Sequence, residues 1–166
     1  MMAQLRETLN EGNFTTTHSL LTHNSWAGVL LSDLVEAELS VHAPAGTTRW
    51  SADGGVVVLD PQRALALGMG LHELATNAAK YGALSTAGGH VSVSWDSRTA
   101  GDETRLTLTW QETGGPVVAP PTRKGFGTQM MTRGLARELD GEVTLSFPEA
   151  GARCHMDVPL SSRAQA

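Results

Sequence analysis

The sequence predicts a two-layer α+β sandwich, with helices on one face of a mixed sheet. Three observations predict it. An apolar helical segment runs between Asp60 and Gly82 with no internal proline after its first residue. Two later stretches, Val91–Trp95 and Leu106–Trp110, alternate apolar and polar residues with period two. The element order is strands, long helix, strands, glycine-rich loop, helix, strands, which suits helices segregated to one side of a sheet. With 166 residues the chain has the length of one domain and can bury a proper core.

The elements follow in order. Residues 1–25 are polar and Thr-rich, and read as a lead-in or the remnant of an element whose body lies elsewhere. Ser32 is placed to cap a short helix through Leu34, Val35 and Leu39, which Pro44 and Gly46 break. Thr47–Ser51 and Val56–Leu59 read as two short strands with Asp53-Gly54-Gly55 as the turn between them. Asp60 is a good N-cap and Pro61 suits the first helical position of the long helix, which Gly82 can close. After the two alternating strands, Thr113–Lys124 holds Gly114, Gly115, Pro116, Pro120 and Pro121 and is a loop. A helix over about Thr128–Leu139, ended by Asp140-Gly141, and strands over Glu142–Phe147 and Arg153–Pro159 complete the domain. Residues 161–166 are expected as a disordered tail.

Composition excludes several function classes. A net charge of −5 leaves no basic footprint, which argues against nucleic acid as a partner. No apolar run approaches a membrane span and no signal peptide is evident, so no membrane contact is expected. The single Cys154 cannot form an intrachain disulfide, which fits a reducing cytoplasm. It lies in the alternating stretch from Arg153 and reads as a packed strand residue.

Three separated pieces carry chemistry. In His72-Glu-Leu-Ala-Thr-Asn-Ala-Ala-Lys-Tyr-Gly-Ala-Leu84, residues Glu73, Asn77 and Lys80 stand four and three apart and share a helix face, with Tyr81 beside them. A carboxylate, a carboxamide and an ammonium in a line suit a magnesium ion and a chain of phosphates. Next, Glu112 ends a strand and is followed by Gly114 and Gly115; a carboxylate there can accept from an exocyclic amine while glycines let backbone approach a flat ligand. Finally, Lys124-Gly125-Phe126-Gly127-Thr128 opens a helix whose N-terminus presents unpaired N–H groups to an anion. Singly, each has a bland reading: a turn, a solvated strand end, or a surface pair between Glu73 and Lys80 of little net gain. Asn77 resists that reading, because an asparagine inside an Ala/Leu-rich helix is a poor helix former that needs a partner. Together the three pieces describe an adenine nucleotide.

The stretch from His72 to Ser85 resembles the N box of HWE-type sensor histidine kinases. Trp110-x-Glu112 is similar to the tryptophan and glutamate that, with the N-box histidine, name that family, and Gly125-Phe126-Gly127-Thr128 resembles its second glycine box. The resemblance runs from about His18 to Leu160 and implies the Bergerat (GHKL) ATP-binding fold, with a catalytic domain over 26–160 and a lead-in that is a possible remnant of the dimerisation hairpin. It implies ATP and Mg²⁺ as cofactors. Asn77 would hold the metal, and Glu73 would be the polarising carboxylate by the γ-phosphate, with His72 orienting a neighbour. Lys80 would reach the phosphates and Tyr81 would lie near adenine. Glu112 would read the adenine amine, and Gly114, Gly115, Gly125, Phe126, Gly127 and Thr128 would shape the nucleotide site and lid.

One part of the family pattern is missing. The phosphoacceptor histidine of these kinases sits in a basic run on a hairpin ahead of the ATP domain, and no such run exists here. His18 and His23 lack that context, and His42, His90 and His155 fall in loop or strand settings. The expected partners are therefore a histidine-bearing hairpin from elsewhere and, downstream, a response regulator. The alternative functions are a stand-alone kinase-like module that regulates a partner without phosphotransfer, and an ATPase that closes by dimerisation.

Overall fold

The computed structural model describes residues 28–43, 47–116 and 126–160, with backbone alone for 126–130. Strand β1 (Val29–Leu30) passes directly into helix α1 (Leu31–Ser40). Leu31 N–H donates to Val57 O, and β1 pairs antiparallel with β3 (Val58–Leu59). A backbone partner thus opens α1. Ser32 is its second residue, and no side chain caps the helix, which corrects the expected role of Ser32.

The expected turn at Asp53-Gly54-Gly55 is also corrected. Strand β2 (Trp50–Gly54) runs through Asp53 and Gly54 and pairs in parallel with the start of β4 (His90–Ala100), so β2 and β3 lie in different sheets. Gly54 serves a close approach: a Cβ there would run into the Trp95 indole, whose Nε1–H donates to Gly55 O at 2.9 Å.

Helix α2 (Pro61–Lys80) starts as the sequence predicts, with Asp60 Oδ1 accepting Arg63 N–H at 2.9 Å and Pro61 in the first turn. Its apolar face, including Leu67, Leu71, Leu74, Ala75 and Ala78, is buried. Met69 breaks the run and stands 55% exposed. Gly70 lets Leu135 of α3 (Phe126–Leu139) pack close, since a Cβ would meet the leucine's Cδ2. Helix α3 ends at Asp140, which adopts φ 55° before Gly141.

Strands β4 (His90–Ala100) and β5 (Glu103–Thr113) form a long antiparallel hairpin through Gly101-Asp102, extending well past the two predicted segments. With β6 (Glu142–Ser146) and β7 (Arg153–Pro159) the main sheet runs β2-β4-β5-β7-β6, parallel only at β2–β4. Val91, Val93, Trp95, Leu106, Leu108, Trp110, Cys154, Met156 and Val158 point into one core with α1, α2 and α3. The opposite face carries Ser92, Ser94, Thr107, Thr109 and His155 and is polar. The two-layer α+β sandwich with a mixed sheet is what the sequence predicts.

The lead-in 1–25, the tail 161–166, the helix break at Pro44 and Gly46, and the loop portion carrying Lys124 and Gly125 lie outside the described residues. Among the described residues no helix is long and apolar enough to cross a membrane.

Candidate functional site

The C-terminal turns of α2 carry the polar line. Glu73 and Asn77 are half-buried, and Lys80 and Tyr81 are exposed, Tyr81 by 74%. At the helix end Asn77 O accepts from both Tyr81 N–H at 2.8 Å and Gly82 N–H at 3.1 Å, and Tyr81 leaves the helical backbone region. Among the described residues the Asn77 carboxamide takes no hydrogen bond, so a half-buried amide is left open to solvent. Among the described residues no three His, Cys, Asp or Glu side chains group to hold a metal. A hard cation here would have to draw its oxygens from the Asn77 amide, water and the ligand itself.

Directly beyond the helix end, the chain meets Glu112. Its carboxylate is only 4% exposed. Ala83 N–H donates to Oε1 at 2.9 Å and Trp110 Nε1–H donates to Oε2 at 3.0 Å. Trp110 and Glu112 are two apart on β5, so their side chains share the inner face, and the indole N–H is in reach of the carboxylate. Gly82 is required here for space: a Cβ would collide with Glu112 Oε1. A carboxylate has about four lone-pair sites, so two donors leave acceptor capacity on both oxygens.

Burial pushes the Glu112 carboxyl above the usual carboxylate range, and the bonds from Ala83 and Trp110 hold it back down. A raised native value means the folded chain binds this proton more tightly than the unfolded chain. Glu112 therefore contributes more stability below its unfolded value, and that contribution is lost as pH rises through the folded one. Urea midpoints should show this fall as pH rises from the ordinary carboxylate range, and Glu112→Gln should flatten it.

The segment following α2 is packed against the end of β5. Thr86 Oγ1 donates to Gly114 O at 3.0 Å. Gly114 needs its φ of 71°, which brings it against Gly88, and a Cβ on Gly115 would stand 2.9 Å from Ala83 Cα. The structure thus brings Glu112, Gly114 and Gly115 against the residues that directly follow the helix turns carrying Glu73, Asn77, Lys80 and Tyr81. Gly125 lies outside the described residues. Phe126, Gly127 and Thr128 form the first turn of α3, known here by backbone only.

His72 points to a different partner. Its Nδ1 lies 3.4 Å from Glu38 Oε2, and Glu38 is buried on α1. His42, just past α1, is held below the usual histidine range by burial and by the nearby His72. His90 and His155 sit on the polar side, within reach of Ser51 and Thr109 hydroxyls. Sequence reasoning missed Glu38, although a carboxylate three and four positions from Val35 and Leu34 falls on the buried face of α1 and could have been found. It also missed Arg49, a single arginine among threonines that gives no signal.

No family model matches the chain. It is 34% identical over 145 residues to a blue-light-activated histidine kinase of Brucella anthropi, covering 87% of this chain and 30% of that protein. It is 40% identical over 135 residues to blue-light-activated histidine kinase 1 of Erythrobacter litoralis, covering 80% and 36%. The chain thus spans about a third of the length of the curated relatives it matches. The fold matches the histidine kinase domain of an Erythrobacter litoralis blue-light activated histidine kinase with a TM-score of 0.64 at 20% identity, covering 92% of this chain and 75% of that one. It also matches the ATP binding domain of PrrB from Mycobacterium tuberculosis with a TM-score of 0.55 at 22% identity, covering 81% and 96%. With its N-box helix, its buried Trp-x-Glu pair and these relatives, the chain belongs to the HWE-type histidine kinases and carries their catalytic domain.

Proposed function

We propose that residues 26–160 bind Mg·ATP and present its γ-phosphoryl group to a histidine on a hairpin module outside this domain. The observation that carries the reading is the 2.9 Å bond from Ala83 N–H to Glu112 Oε1. It joins the end of the helix that carries Asn77 and Lys80 to a buried acceptor suited to an exocyclic amine, which supports one ligand with an anionic chain and an aminated base spanning both. The names of the two kinase-domain structures support this reading for proteins of the same fold.

In this reading Asn77 supplies one oxygen to a magnesium ion, and Lys80 offsets phosphate charge from the last turn of α2. Glu73 lies one turn before Asn77, beside the terminal phosphate. Bound magnesium neutralises charge on the phosphates. The chain contributes positioning and electrostatics, which is most of what phosphoryl transfer requires. The downstream partner would be a response regulator, and the compartment the ATP-containing cytoplasm.

The same reading places His72 with Glu38, facing α1, and not in line with the phosphates. An acceptor must lie within about 3–3.5 Å of the phosphorus to react. The chain alone is therefore expected not to autophosphorylate. Incubation with γ-³²P-ATP should give acid-labile label only when a separate hairpin fragment with a basic-flanked histidine is added. Acid-labile label on the isolated chain, lost in His18→Ala, would overturn the requirement for an external acceptor.

A further inference from the structure

One side chain from outside the site holds the segment that presents Ala83 to Glu112. Arg49 stands just before β2 and is half-buried. Its Nε donates to Gly89 O at 3.1 Å, and its Nη2 donates to Thr86 O at 2.6 Å and to Ala83 O at 3.4 Å. Three carbonyls of residues 83–89 thus converge on one guanidinium, a fan of acceptors that suits a planar fork of donors. The backbone of Arg49 is itself tied down, because Val91 N–H donates to Arg49 O at 3.0 Å.

Ala83 is the shared residue. Its carbonyl faces Arg49, while its N–H donates to Glu112 Oε1. The turn is also closed tightly at its other end, since a Cβ on Gly89 would run into Ala83 O. Moving the 83–89 segment would move that N–H and leave the Glu112 carboxylate on Trp110 Nε1–H alone.

We propose that Arg49 is a positioning residue for Glu112: by gathering the carbonyls of Ala83, Thr86 and Gly89 it fixes the Ala83 N–H, hence the carboxylate, hence the preference for adenine over guanine. The last step rests on the nucleotide-binding reading above; the positioning itself does not. Lysine carries the same charge but is a compact point donor, and it cannot span three carbonyls in this arrangement.

The test uses the full chain with Arg49→Gln, Arg49→Lys and a control, Arg63→Lys. Arg63 also donates to a backbone carbonyl, Pro159 O, but from the first turn of α2, away from the site. Two quantities are read. The first is the indole N–H resonance of Trp110 in a ¹⁵N-labelled sample, identified by its loss in Trp110→Phe. The second is the ratio of ATP to GTP affinity by displacement of a fluorescent ATP analogue. Both Arg49 variants should shift the Trp110 indole signal and lower the ratio by about tenfold or more, equivalent to about 1.4 kcal/mol. Arg63→Lys should change neither, whatever it does to stability. If Arg49→Gln does not fold, Arg49→Lys carries the test. An unmoved Trp110 resonance in folded Arg49→Lys overturns the positioning role, and an unchanged ratio in a chain that binds ATP overturns its effect on purine choice. A wild-type chain that binds neither nucleotide overturns the functional reading together with the purine part of the proposal, and the indole signal then judges the positioning alone.

Discussion

Replacing Asn77 with alanine is expected to abolish the magnesium-dependent part of ATP binding and to cut phosphoryl transfer to an added hairpin by on the order of 10²–10³-fold, the scale for losing one preorganised electrostatic group. The physical case rests on two opposing effects. Alanine is the best helix former and asparagine a poor one, so at a half-buried position inside α2 the substitution should leave the fold intact or gain up to roughly 0.7 kcal/mol. A carboxamide that costs helix stability and takes no partner among the described residues is what the proposed metal ligand requires. Titration of a fluorescent ATP analogue with and without Mg²⁺, beside a thermal melt, separates the outcomes. Equal affinity for wild type and variant in Mg²⁺ would remove Asn77 from the metal.

Glu112→Ala should have two large effects at once. The first is on the fold. The carboxylate is acceptor for Ala83 N–H and Trp110 Nε1–H in a buried site, and truncation strands both donors at about 1–3 kcal/mol each. The second is on binding, where losing a charge-assisted acceptor should weaken ATP by about 1.5–3 kcal/mol and GTP by much less. Glu112→Gln tells the two apart. Its carbonyl oxygen can keep one of the internal donors, while its NH₂ must face the other, so it should fold better than the alanine variant yet still lose selectivity. Competition by ATP and GTP, read with urea unfolding of both variants, checks this. If the nucleotides weaken equally, Glu112 is a strand end that serves the core.

Much of this was legible because several levels of the sequence agree. Asp60-Pro61, the apolar spacing of α2 and the polar line Glu73, Asn77 and Lys80 all speak for one helix, and the structure has that helix. The strands were found by alternation, but their ends ran on where a partner strand was available: β4 and β5 extend each other to Ala100 and Glu103. The errors have tertiary causes. Asp53-Gly54 has the residues of a turn, yet the chain stays extended there because β4 pairs with it and the Trp95 indole needs the space a side chain would take. Ser32 looks like a cap, but Val57 O already receives the Leu31 N–H. Gly82 has the sequence of a helix stop, and its stronger reason is the carboxylate of a residue thirty positions later. Arg49 was illegible for the same cause, since all three of its acceptors are backbone atoms that carry no residue identity.

The chain's single cysteine offers a built-in gauge of how often the core beneath the sheet opens. Cys154 is fully buried on β7, between β5 and β6 and paired with Trp110 and Leu145, and burial pushes its thiol up to about 12. At neutral pH it is almost wholly uncharged, and the thiolate is the form that reacts. An alkylating reagent can therefore reach it only through an opening that exposes the core between the sheet and the helices, and the labelling rate counts those openings. Because β7 abuts the strand that carries Trp110 and Glu112, slower labelling on addition of ATP would measure how firmly a ligand at the helix end locks the middle of the sheet.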